Sequence, residues 1–319
     1  MQADGGTVVY FHWNCSDGRV AAALLVVHLL KQGAAHLRVR SAGASLDRFE
    51  DPPAGTHTVY FVDLCPRIDM VPRLEAAARR IVVLDHHLSA RATAAHVAAR
   101  PQWTVHLHPE LCGAQVVDRV FPRDRGGRLA PLDAALACVA DYDLWRRPAD
   151  DVFCFEAGLG ALWRACTTRG APTTAGECAQ FLFALAQTPC AEVAAMGAPL
   201  HAAVAADYAR RPPFAVQLAP PSAAWDGAAV GVELDRGCNA TLLCHWLLRD
   251  FPDAEVAVGL WPARAGARKV SMRARTICLP KSAETPHGHL AWAFGHAQAC
   301  GGTLPPGVVE TIAPIQNMN

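Results

Sequence analysis

The chain has 319 residues, is 52% hydrophobic and 18% charged, and its Lys+Arg and Asp+Glu balance at 29 each. That length accommodates two domains, and that composition excludes a disordered or low-complexity chain. The neutral balance removes the global basic field that would recruit long nucleic acid, while leaving room for a local site that takes a small anion.

Twelve cysteines are scattered without a CxxC pair, unlike a secreted disulfide scaffold, and residues 1–6 lack the apolar core of a signal peptide. No uncharged apolar run reaches membrane-spanning length; residues 20–30 come nearest and read as a buried helix. The expectation is a cytoplasmic protein with free thiols and no membrane partner.

In chain order, residues 7–11 read as a strand, followed by a loop to Gly18 and an apolar helix over 19–31 that Gly33 stops. A second strand over 59–62 ends at Asp63. Helical composition over 72–80 leads into a strand over 81–84. A further strand over 103–107 precedes helices over 113–120 and 132–140, the latter ending at Asp141. Strands alternating with helices predict an α/β fold with a mostly parallel sheet covered on both faces. Residues 150–211 are Ala-rich and helical, 211–221 read as a proline-rich linker, and strands return over 228–234, 255–260 and 269–274, with a helix over 239–249 between the first two. The expected organisation is a first domain over 1–150, a helical connection over 151–212 and a smaller α/β domain over 213–319.

The stretch Ile81-Val82-Val83-Leu84-Asp85-His86-His87 ends a buried strand in one carboxylate and two imidazoles. The carboxyl end of a strand is where open α/β sheets bind ligands. An isolated Asp after a strand is usually a helix N-cap, so Asp63 or Asp141 alone carries little, and Asp143 competes with Asp141. Three adjacent polar groups at a buried strand end each need a partner. Carboxylates with imidazoles suit Mn²⁺, Mg²⁺ or Zn²⁺, and the carboxylate enrichment tilts toward the harder ions.

Four segments in order carry a resemblance. His12-Trp13-Asn14-Cys15-Ser16-Asp17-Gly18, Phe61-Val62-Asp63, Asp85-His86-His87 and Ala140-Asp141-Tyr142-Asp143-Leu144-Trp145 resemble the four motifs of the DHH phosphoesterase superfamily. The first has the His-x-Asn-Cys-x-Asp-Gly form of one branch. Cys112-Gly113-Ala114 is similar to the small-residue helix start that follows the third. The resemblance implies a hydrolase of phosphoric esters with two divalent ions, Mn²⁺ foremost and Mg²⁺ as the alternative. It implies His12, Asp17, Asp63, His86 and Asp141 as metal ligands, with Asp63 bridging. His87 would face substrate or help in proton transfer, and Asp85 would orient the histidines. Many members carry a carboxylate where Cys15 stands. A thiolate there would favour a softer ion, and a packed bystander is the alternative.

In the last third, Val270-Ser271-Met272-Arg273 ends a probable strand in a guanidinium suited to phosphate, and Phe294-Gly295-His296-Ala297-Gln298-Ala299-Cys300-Gly301-Gly302 places glycines around a histidine. The pair resembles the DHHA1 substrate domain, with its triple glycine reduced to Ala293-Phe294-Gly295. That implies Arg273, Gly295, His296, Gly301 and Gly302 as substrate contacts. The expected activity is hydrolysis of phosphodiester bonds in short nucleotides, by a protein that could form a homodimer. A phosphoanhydride hydrolase acting on pyrophosphate or short polyphosphate, and a non-catalytic nucleotide binder that lost one metal, are the rivals.

Overall fold

The computed structural model describes residues 5–13, 15–43, 49–124, 126–147, 149–168, 172–217, 228–235, 239–261, 268–275, 293–295, 299–304 and 312–314. The chain divides into two compact units, Met1–Ala198 and Pro199–Asn319.

The first unit alternates β1 (Thr7–His12), α1 (Ser16–Lys31), β2 (Leu37–Ala42), β3 (Thr56–Val62), α2 (Val71–Ala77), β4 (Ala78–Asp85), α3 (Ala90–Val97), β5 (Trp103–Leu107) and α4 (Gly113–Val120). Three further helices follow: α5 (Leu132–Asp143), α6 (Asp150–Cys166) and α7 (Ala175–Gln187). The sheet runs β2-β1-β3-β4-β5 and every pairing in it is parallel, as the alternation predicts. Side chains alternate across it. Val9, Phe11, Val82 and Leu84 join α1, α4, α5, α6 and α7 in one core, while Val8, Tyr10, Phe61 and Val83 face the α2 side. Burial on both faces is why β3 and β4 read as continuous apolar runs. Helix α1 is buried from Val20 to Val27, because the sheet takes one side and α4 and α7 take others. The helices beyond residue 150 therefore supply core: Phe155, Leu159, Phe181 and Leu182 all join the α1 cluster.

Strand order decides where a ligand can sit. The chain leaves β1 for β2 on one side and returns to β3 on the other, so the crossovers diverge beyond the carboxyl ends of β1 and β3. A cavity of about 830 Å³ opens at the other edge, against Gly5, Gly6, His36, Arg38 and Arg79; among the described residues no carboxylate lines it.

Several elements differ from the sequence expectation. β2, with Arg38 and Arg40 along it, has the charged character of an edge strand, which reads locally as loop. β4 starts at Ala78, and its exposed Arg79 and Arg80 extend it beyond the buried run. Phe214–Gln217, expected as linker, is a strand (β6) paired antiparallel to β7 (Ala228–Glu233).

α8 (Cys190–Tyr208) contains Pro199, where the two units divide. The second unit adds α9 (Ala240–Asp250), β8 (Val256–Leu260), β9 (Arg268–Ala274), β10 (Ala293–Gly295), β11 (Ala299–Leu304) and β12 (Ile312–Pro314). Its mixed sheet runs β10-β11-β9-β8-β7-β6-β12. α9 starts at Asn239, whose Oδ1 accepts the Leu242 N–H at 3.1 Å, and it buries Leu243, Trp246 and Leu247. Among the described residues no single helix is long and apolar enough to cross a membrane; α7 and α8 meet both conditions only together, across a 108° bend.

Candidate metal centre

The carboxyl ends of three adjacent strands meet two helix ends. His12 closes β1, Asp63 follows β3, and Asp85-His86-His87 closes β4; Asp17 lies in the first turn of α1 and Asp143 is the last residue of α5. Asp63 turns off its strand with φ of 56°, the left-handed region that Asp tolerates better than most residues. Its carboxylate, 1% exposed, presents one oxygen to each of two groups. Oδ2 faces His12 Nδ1 at 3.4 Å, and Oδ1 faces His86 Nε2 at 3.0 Å. His86 Nε2 is also 3.4 Å from Asp143 Oδ2 and 3.7 Å from Asp17 Oδ2. Three groups with metal-ligand spacing result among the described residues: Asp63, Asp85, His86 and His87; His12, Cys15 and Asp63; and Asp17, His86 and Asp143; the last two share no residue and form two separate donor sets.

Asp85 works differently from its neighbours. Its Oδ1 accepts the backbone N–H of His86 at 2.8 Å and of His87 at 3.3 Å, and contacts His87 Nδ1 at 2.7 Å. It therefore shapes the turn and aims the His87 ring, whereas the His86 ring is held by Asp63. His87 stays at the rim, its side chain 28% exposed.

Asp17 is fixed from 96 residues away. Its Oδ2 accepts the Gly113 N–H at 2.5 Å and its Oδ1 accepts the Ala114 N–H at 2.7 Å, so it caps the amino end of α4, where unsatisfied donors favour an anion. This close approach needs glycine. A Cβ on Gly113 would sit 2.8 Å from Asp63 Cβ and 2.9 Å from Asp17 Oδ2, and one on Gly18 would sit 2.3 Å from the His12 carbonyl oxygen. Gly113→Ala should therefore cost about 1–3 kcal/mol of stability. It should also weaken Mn²⁺ binding about tenfold or more by displacing both carboxylates. Thermal melts and calorimetric Mn²⁺ titration read the two effects.

The electrostatics fit a cation. Burial, reinforced by the charges of Asp63 and Asp143, pushes the Asp17 carboxyl well above the usual range, and burial likewise raises Asp143. Burial alone would raise Asp63, but the imidazoles of His12 and His86 outweigh it and hold that carboxyl below the usual range. Burial would lower both histidines, yet Asp63 and Asp143 carry His86 up to about 10, and Asp85 carries His87 up to about 9. Asp63 Oδ2 is buried with no hydrogen-bond partner. Buried carboxylates at this spacing, with imidazoles between them, fit a divalent cation, which could take oxygens from Asp17, Asp63 and Asp143 and nitrogens from His12 and His86.

The pH dependence follows from these signs. His86 and His87, raised to about 10 and about 9, hold protons at neutral pH in the metal-free protein, and a cation taking His86 as a ligand must displace its proton. The contribution of His86 and His87 to metal-free stability is complete below about pH 6.5 and is lost as pH rises through about 9 and about 10. Asp17 and Asp143, also raised, act in the same direction. Mn²⁺ affinity should accordingly climb from mildly acidic to mildly alkaline buffer, with protons released on binding. Calorimetry in buffers of different ionisation enthalpy measures both, and a flat profile would remove Asp17, His86 and Asp143 from the metal's coordination.

Of the expected residues, the structure brings His12, Asp17, Asp63 and His86 together, with Asp85 and His87 beside them. Asp141 lies apart. Its Oδ2 pairs with Arg147 Nε at 3.1 Å, and Asp143 reaches His86 in its place. Two residues along a helix turn the side chain by about 200°, so only one of the pair can face the cluster. A group the sequence did not disclose is Glu156 on α6. Its Oε1 accepts the Ser16 hydroxyl at 2.7 Å beside Asp17, and burial pushes its carboxyl up to about 7. No local pattern marks it: beyond Asp150 and Asp151 in the first turn, it is the one acid in a largely apolar helix.

In the second unit, Arg273 donates from Nη1 to the Met272 carbonyl at 2.7 Å and from Nη2 to Thr241 Oγ1 at 2.5 Å. β11 lies antiparallel to β9, with Ala299 opposite Arg273, Gly301 opposite Ser271 and Gly302 opposite Val270; Gly295 ends β10 opposite Cys300. The glycines and the arginine thus share neighbouring strands. His296 lies outside the described residues.

No known protein-family pattern matches the chain, and no curated protein matches it. Solved structures similar to it include exonuclease RecJ bound to manganese, at 16% identity over 94% of this chain and 86% of that one, with a TM-score of 0.44. RecJ in complex with Mn²⁺ from Thermus thermophilus is 17% identical over 94% of this chain, with a TM-score of 0.43, and the chain spans 50% of its length. An uncharacterised protein from Helicobacter pylori is 14% identical over 93% of this chain and 92% of that one, with a TM-score of 0.31.

Proposed function

We propose that this chain is a DHH-type, metal-dependent phosphoesterase that hydrolyses phosphodiester bonds of short nucleotides, with two divalent ions, Mn²⁺ foremost. The observation that carries this reading is the meeting of His12, Asp17, Asp63, His86 and Asp143, from four motif segments, at one buried edge of a parallel sheet. Bound there, divalent ions supply Lewis-acid stabilisation of a phosphoryl group and lower the pKa of water. Asp63 holds the two donor sets in register through its two oxygens. Asp85 fixes the His87 ring by the 2.7 Å contact at Nδ1, and His87, protonated and at the rim, donates a proton to the departing oxygen. In the second unit, Arg273 and the glycines of β10 and β11 are the proposed DHHA1-like substrate contacts.

The test is to incubate the purified chain with Mn²⁺ and, separately, linear dinucleotides, short oligonucleotides, pyrophosphate and short polyphosphate. Mononucleotide release that stops on chelation is the expected result. Phosphate release from the anhydrides alone would shift the activity to a phosphoanhydride hydrolase. No product with any divalent ion would leave a nucleotide binder.

A further inference from the structure

Cys15 stands in the turn between β1 and α1, three residues after His12. Its Sγ, a ring nitrogen of His12 and an Asp63 oxygen lie within 4.8 Å of one another. His12 Nδ1 is 3.4 Å from Asp63 Oδ2, and Cys15 Sγ is 3.8 Å from Asp143 Oδ1. An ion with tetrahedral arms of about 2.0–2.3 Å sets neighbouring donor atoms roughly 3.3–3.8 Å apart, so the His12–Asp63 edge matches such a polyhedron. A second observation points to the same place. Asp63 Oδ2, on a side chain 1% exposed, faces this group and has no hydrogen-bond partner; at 3.4 Å the His12 contact is long for one.

We propose that His12, Cys15 and Asp63 form a thiolate-containing site that takes a thiophilic divalent ion such as Zn²⁺ or Co²⁺. The adjoining Asp17, His86 and Asp143 set keeps the harder Mn²⁺ or Mg²⁺. The inference rests on the metal-centre reading above and deepens it: the two halves of the centre differ in softness, because one holds sulfur and imidazole and the other is mainly oxygen. On binding, the Cys15 thiol loses its proton to solvent and the sulfur pair forms the metal bond.

Cobalt titration of the full-length protein tests this. Wild type should develop a near-ultraviolet sulfur-to-cobalt charge-transfer band that saturates at one equivalent, is erased by Zn²⁺ and survives excess Mn²⁺. Cys15→Ser should lack the band and bind Zn²⁺ more weakly by at least about tenfold, while still binding Mn²⁺ at the other set, which also reports that it is folded. Cys15→Asp should lack the band and shift its preference from Zn²⁺ toward Mn²⁺. Cobalt bound without the band, or Cys15→Ser retaining both the band and the Zn²⁺ affinity, overturns the thiolate site and leaves the metal centre standing. No metal bound by wild type at all overturns both.

Discussion

Asp143→Asn should abolish Mn²⁺-dependent hydrolysis and strip the Asp17, His86 and Asp143 set of its ion, while Asp141→Asn should keep both. Asp143 lies 3.4 Å from His86 Nε2 and 3.8 Å from Cys15 Sγ, at the contact between the two donor sets. Its carboxyl is raised by burial, so the amide fits the site with little desolvation cost but brings no charge to hold a cation. Asp141 is paired with Arg147 on a surface where the two side chains are 30% and 49% exposed. Losing that pair costs about 0–1 kcal/mol and touches no ligand. Turnover on a dinucleotide and calorimetric Mn²⁺ titration of both variants separate them. Equal loss in the two would mean that α5 is turned differently from the arrangement described.

Asp63→Asn should be the most damaging single change to the centre, reducing hydrolysis to background and lowering bound metal at both donor sets. Each oxygen of Asp63 serves one set, and a neutral amide cannot hold two cations together. Asparagine is the informative replacement because it tolerates the φ of 56°, where alanine would add backbone strain to the lost charge. Breaking a buried ion pair usually costs about 3–5 kcal/mol. Here Asp17 and Asp143 still surround His86 and their mutual repulsion with Asp63 is relieved, so the metal-free fold should survive, as near-ultraviolet circular dichroism would report. Wild-type turnover in this variant would sink the assignment of the metal centre.

Much of this was legible residue by residue. The run from Ile81 to His87 announces a buried strand ending in metal-binding groups, and β4 ends at Asp85 with His86 enclosed behind it. The Asn239 cap and the glycine at 113 are local signals that the helices obey. What escaped was non-local. β2 is a strand because β1 offers it an edge, and Glu156 matters because α6 is laid beside the start of α1.

The sequence by itself determined the alternation of strands and helices, the parallel sheet, and which four segments carry carboxylates and imidazoles, because hydrophobic period and residue chemistry are local properties. Only the tertiary structure decided which of Asp141 and Asp143 faces His86, that Asp17 caps a helix 96 residues away, that Asp85 serves His87 while Asp63 serves His86, and that Cys15 stands with His12 and Asp63. Those choices depend on the rotation of α5 and the packing of α1 against α4. Helix rotation and side-chain reach are set by distant contacts within the core, which no window of the chain contains.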